Sequence, residues 1–80
     1  MRVFSDQKEL IEVVCNCCRK NLLVGNGFLK EECIQVEHDF GFFGTKYGLS
    51  QRFDLCEDCY QKITENFAIP AEEWERKELL

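Results

Sequence analysis

Eighty residues with a formal net charge of −5 make one small domain, whose hydrophobic core alone gives only marginal stability. An apolar fraction of 45% with seven Phe excludes a disordered chain. No apolar run approaches the roughly 18 residues that a membrane span needs. The acidic balance also speaks against non-specific attraction to nucleic acid, because that attraction depends on Lys and Arg neutralising phosphates.

In chain order, Ser5-Asp6-Gln7-Lys8-Glu9 predicts a short helical turn with Ser5 or Asp6 as its N-cap. Ile11, Val13 and Val14 are β-branched and predict a strand over 11–15 that runs into the first cysteines. A second short strand is expected at 21–24. Gly25-Asn26-Gly27 then turns the chain, since all three residues tolerate positive φ, and 28–30 returns as the hairpin partner. From Cys33 to Phe40 a strand places Ile34, Val36, His38 and Phe40 on one side. Residues 41–48 form a loop holding three glycines and three aromatics, and 50–55 the next strand, with Gln51, Phe53 and Leu55 on a common face. The clearest helix spans 57–67. Cys59 or Tyr60, Ile63 and Phe67 share one face, Glu57 and Asp58 occupy the first turn, and Ile69-Pro70 stops it. The tail, 71–80, is charged apart from Trp74, Leu79 and Leu80, and reads as a last helical turn or as an arm that docks or dimerises.

Six cysteines supply the staple that a core of this size requires, as disulfides or as a metal site. Residues 1–9 show neither an apolar signal-peptide stretch nor a cleavage pattern. The expectation is therefore a cytoplasmic chain with reduced thiols, which favours a metal. Cys15-Asn16-Cys17-Cys18 and Cys56-Glu57-Asp58-Cys59 each contain a C-x2-C pair. A tight knuckle of this spacing turns two sulfurs toward one ion, and two pairs complete a closed four-cysteine site for Zn2+. Between them lie 37 residues, 19–55, so hairpins over 22–30 and 33–55 must bring the pairs together. Rubredoxin-type iron uses the same pairs, but with glycine after each second cysteine, where this chain has Arg19 and Tyr60. Zinc is the preferred ion and iron the alternative. A thioredoxin-like redox pair would need a larger α/β fold.

A knuckle, a β-hairpin and a helix whose first turn carries the last two ligands follow one another in the order found in treble-clef zinc fingers. Cys15 to Lys20 resembles their C-x-x-C-G-K knuckle, with Arg19 in place of the glycine. A wider resemblance rests on Val13-Val14-Cys15-Asn16-x-Cys18-x-Lys20, Gly41-Phe42-Phe43-Gly44, Phe53-Asp54-Leu55-Cys56-Glu57-x-Cys59-Tyr60 and Phe67-x-Ile69-Pro70. On these residues the chain is similar to a group of small, uncharacterised bacterial zinc-finger-like proteins with four cysteine ligands. The resemblance implies the metal and a single domain, and carries no substrate. The expected fold is thus α+β: a small zinc-stapled, treble-clef-like domain over 1–80, with β-hairpins, one C-terminal helix and 70–80 as an extended arm.

Other residues invite chemistry without demanding it. Cys17 reads as a spare thiol beside the metal rather than a replacement ligand. Cys33 reads as a small buried hydrophobe. His38, in register with Ile34, Val36 and Phe40, reads as a partly buried strand histidine rather than a ligand or general base. Phe40, Phe42, Phe43 and Tyr47 either roof the core or anchor a partner. The roof is the preferred reading, because so small a chain needs every ring. Glu72, Glu73, Glu75 and Glu78 read as a solvated face. Four thiolates leave no open position for a water nucleophile, so no enzyme activity is expected. The function expected is an interaction module that offers Phe42, Phe43, Tyr47 or Trp74 to a protein partner or to a second copy. Nucleic-acid binding is the alternative. It has only Arg2, Lys8, Arg19, Lys20 and Lys30 to draw on, from a segment of balance +2, while residues 31–80 carry −7. A small thiol or metal enzyme is the least favoured reading.

Overall fold

β-Branched residues and turn formers alternate along the first half of the chain, and they fold it into short antiparallel pieces. The computed structural model describes residues 1–76. β1 (Arg2–Phe4), β2 (Leu10–Val14) and β3 (Asn21–Leu22) form a three-stranded sheet in that order. The helical turn expected at 5–9 is instead the β1–β2 connection. Ser5 Oγ accepts the Gln7 and Glu9 amides at 3.3 and 3.1 Å, and Lys8 takes φ 66°. A serine hydroxyl caps a turn by the same bonds with which it caps a helix, so the cap was legible and its element was not.

The strand expected over 21–24 divides at Leu23. Its first half pairs with β2, and its second half begins a separate ribbon, β4 (Val24–Gly25) with β5 (Phe28–Leu29). Asn26 and Gly27, at φ 53° and 78°, give the two consecutive left-handed residues of a tight hairpin turn. The Leu23 amide leaves the ladder and donates to Glu31 Oε1 at 2.8 Å.

β6 (Cys33–Asp39) and β7 (Ser50–Cys56) make the longest ladder, in unbroken register from Cys33 opposite Cys56 to Asp39 opposite Ser50. The loop between them closes with the Phe40 amide on the Leu49 carbonyl at 2.9 Å. α1 (Glu57–Thr64) follows β7 with no intervening residue. Beyond Thr64 the expected helix tightens, as the Asn66 and Phe67 amides reach back only three residues. Residues 71–76 form neither helix nor strand, so they hold no last helical turn; Leu79 and Leu80 lie outside the described residues. The architecture is small α+β: β-hairpins and one C-terminal helix, with a cysteine cluster where the helix begins.

Among the described residues the buried hydrophobic core consists of Val13, Leu22 and Leu55 together with Cys15, Cys56 and Cys59. Half of these residues are cysteines. The sulfurs therefore stand where a larger domain would place Leu or Ile.

Candidate metal centre

β2 ends at Val14 and hands Cys15 to a six-residue knuckle. The Arg19 amide donates to the Cys15 carbonyl and the Cys15 amide to the Lys20 carbonyl, each at 2.9 Å. This closure swings Cys18 back beside Cys15. The knuckle is pinned to the distant ladder by paired bonds: the Asn16 amide to the Asp54 carbonyl at 2.8 Å and the Asp54 amide to Asn16 Oδ1 at 2.9 Å. Cys56 arrives as the last residue of β7 and the N-cap of α1, and Cys59 lies in the first turn. The expected knuckle-first, helix-start-second order of Cys15, Cys18, Cys56 and Cys59 is the geometry observed.

Their four Sγ atoms lie within 4.8 Å of one another, and Cys18 and Cys56 approach to 3.7 Å. A disulfide requires about 2.05 Å, and all six cysteines are free. Sulfurs at about 2.3 Å from a tetrahedral ion are separated by about 3.8 Å, so the spacing suits a single ion. Cys15, Cys56 and Cys59 are buried, and Cys18 forms the exposed rim.

The electrostatics point the same way. Burial acts to raise the Cys15 thiol, but the amides of Cys56, Cys18 and Cys17 aimed at its sulfur outweigh it and bring it down to about 6. Cys59 is pushed well up by the sulfurs of Cys18 and Cys56 and by burial. Cys18 is also raised: the Lys20 amide and the Cys59 thiol favour its thiolate, yet burial and the sulfurs of Cys15 and Cys56 prevail. The Cys15 thiolate forms readily while Cys18 and Cys59 resist, because like charges crowd one small volume. A divalent cation removes that conflict, and the N-terminus of α1 adds its partial positive charge to the same side. Lys20, whose ammonium is held by Glu31 at 2.8 Å, stands next to the knuckle and balances part of the surplus negative charge.

Arg19 occupies the glycine position of the knuckle at φ 69°. A side chain there costs about 1 kcal/mol of local strain. Arg19→Gly is expected to raise stability by about 0.5 kcal/mol, the relief less the entropy of a freer unfolded chain. Arg19→Val is expected to lower it by more than 1 kcal/mol, roughly. Thermal unfolding of the two variants checks both.

The remaining candidates lie elsewhere. Cys17 is exposed and is not one of the four mutually close sulfurs, although its thiol lies near Cys59. Cys33 is half-buried, and although it faces Cys56 in the ladder, its Sγ donates to Asp54 Oδ1 at 3.6 Å. Burial and that carboxylate push its thiol up, which keeps it protonated. His38 is exposed rather than partly buried, its ring set edge-on to Phe40 at 4.8 Å, because the far half of the β6–β7 ladder extends past the core. For the same reason the aromatic loop does not roof the interior. Phe42, Phe43 and Tyr47 are 75%, 99% and 67% exposed, with Phe42 edge-on to the other two rings.

One buried group escaped the sequence reading. Asp54, 2% exposed, accepts the Met1 α-ammonium on Oδ2 at 2.9 Å and Arg2 Nε on Oδ1 at 3.0 Å. Burial raises its carboxyl, and these two cations more than reverse that, holding it below the usual carboxylate range. Alternation along 50–55 put Asp54 on the face opposite Phe53 and Leu55, which reads as solvent. The signal available was a lone acid within an apolar strand directly before the second cysteine pair. Comparison with known protein families, curated proteins and solved structures finds no match to the chain.

Proposed function

We propose that this chain is a zinc-stapled, treble-clef-like interaction module of the cytoplasm, related to the small bacterial zinc-finger-like proteins it resembles, and that it is not an enzyme. The sulfur geometry supports a closed, structural ion, since four thiolates leave no position for substrate. Zinc is preferred to iron because the chain departs from the glycine-flanked iron pattern at Arg19 and Tyr60. About one zinc per chain by elemental analysis is the expected outcome.

The observation that carries the interaction reading is the tip of the β6–β7 hairpin. Phe43 is 99% exposed, Phe42 meets both it and Tyr47 edge-on, and Phe42, Tyr47 and Leu49 are each more than half exposed. Apolar rings grouped at the end of a hydrogen-bonded ladder are costly to leave in water, and such rings serve as anchors in interfaces. Only Lys46 adds positive charge there, which suits an apolar groove on a protein rather than a stack of nucleic-acid bases. Trp74, 73% exposed on the tail, is a second anchor. A photo-crosslinking residue at Phe43 is expected to capture a protein, or a second copy of the chain, in cells. The same probe at exposed Gln61 serves as control, and Phe42→Ser with Tyr47→Ser is expected to abolish capture. Nucleic-acid adducts, or a pattern equal to the control, would overturn the reading.

A further inference from the structure

Between β1 and the open face of the β6–β7 ladder lies a cleft of about 360 Å³, within the range of small-molecule sites. Its lining residues carry more positive than negative charge, even with Glu37 counted beside Arg52. Its walls hold the Met1 α-ammonium and the guanidiniums of Arg2 and Arg52, against the single carboxylate of Asp54. That carboxylate is already saturated, with Oδ2 on the ammonium and Oδ1 on Arg2 Nε and the Cys33 thiol.

Asp54 thus fixes Arg2 through Nε and leaves its terminal nitrogens to the cleft, where Nη2 has only a 3.9 Å contact to Cys33 Sγ. Arg52 stands two residues before Asp54, on the same face of β7. Its nearest acid, Glu37, is 3.7 Å away in a pair with both side chains more than 60% exposed, an interaction weak enough to exchange. Asn16 spends its Oδ1 on the Met1 ammonium and the Asp54 amide, and its Nδ2 faces no protein acceptor among the described residues. Gln35, opposite Asp54 in the ladder, lines the cleft as well. Beside these donors Phe4 presents an aromatic wall, 56% exposed.

Donors only weakly held by the protein, surplus positive charge and an apolar wall describe one ligand class. We infer that the cleft binds a small oxyanion, a carboxylate or phosphate group, on an apolar body that packs against Phe4. Arginine forks match both groups bidentately, and the anchoring of Arg2 by Asp54 removes much of the ordering cost.

The folded chain, isotopically labelled for NMR, is titrated with benzoate, phenyl phosphate, inorganic phosphate and neutral benzamide. Benzoate or phenyl phosphate is expected to saturate on the order of 1 mM, shifting the side-chain signals of Arg2, Asn16, Gln35 and Arg52, and the tighter of the two identifies the oxyanion. Arg52→Gln, at an exposed position, is expected to keep the spectrum of the folded chain and to weaken binding at least about tenfold. Phe4→Ser is expected to weaken benzoate and phenyl phosphate while leaving inorganic phosphate unchanged. An equal response to benzamide, affinity unaltered in Arg52→Gln, or no saturable shift with any anion would overturn the inference.

Discussion

A strong chelator is expected to abolish the circular dichroism signal and the cooperative unfolding transition together. Without an ion the buried hydrophobic core is reduced to Val13, Leu22 and Leu55, around three thiols that are buried but not bonded to anything that holds them. A chain of this length carries a net stability of roughly 4–12 kcal/mol, whereas a structural zinc contributes about 10–16 kcal/mol. Removing it takes away as much as the whole margin. Cys15→Ser and Cys56→Ser are expected to lose the metal and the fold, as both sulfurs are buried. Cys18→Ser, at the exposed rim, is expected to retain partial metal binding, because water can enter the vacated position. Cys17→Ser is expected to leave metal content and stability unchanged, and elemental analysis with thermal unfolding distinguishes all four. Metal-free protein that still unfolds cooperatively would sink the claim, and loss of metal in Cys17→Ser would redraw the ligand set.

Asp54→Asn is expected to cost about 3 kcal/mol at neutral pH, the lower end for breaking a buried ion pair because water still reaches Arg2 and Met1. For a chain of this size that corresponds to a fall in Tm of roughly 10–20 °C. Its pH dependence follows from the lowered carboxyl. A group whose folded-state pKa is depressed contributes fully above its unfolded value, about 3.9, and that contribution disappears as pH falls through the folded value. The difference between wild type and Asp54→Asn should therefore be constant above about pH 5 and shrink below about pH 4. Acid would also protonate thiolates and release a bound ion, so the difference is read at pH values where both proteins keep a cooperative transition. A gap that stays constant down to pH 3, roughly, would mean that the carboxylate is not what the variant removes.

The elements most visible in the sequence were those whose signals are local. Gly25-Asn26-Gly27 specified a turn because few other residues accept two consecutive left-handed conformations. The helix from Glu57 showed itself by apolar spacing and by a proline that closes it. The cysteine pairs carried the site, since ligand spacing is a local property and only the approach of the two pairs required the fold. What stayed hidden depends on distant neighbours. β1 has no pattern of its own, and it exists because Arg2 and Met1 find Asp54 more than fifty residues away. Alternation along β7 could not reveal that the face bearing Asp54 is covered by the start of the chain. Register with Ile34, Val36 and Phe40 puts His38 on a partly buried face, and the aromatic loop is expected over the core on the argument that a small protein must bury its rings. That argument fails where a hairpin is longer than the core it grows from.

β7 passes into α1 without a linker, and the residue at the junction is Cys56. The hairpin and the helix thus share a pivot, and the pivot is a candidate metal ligand. Seven paired positions at about 3.4 Å each place the aromatic tip roughly 20 Å from that point. Over such an arm, an angular change of roughly ten degrees at the cysteine swings the rings by about 3–4 Å, close to the spacing between neighbouring residues of a strand. The ion would then govern where Phe43 is aimed as well as whether the chain is folded.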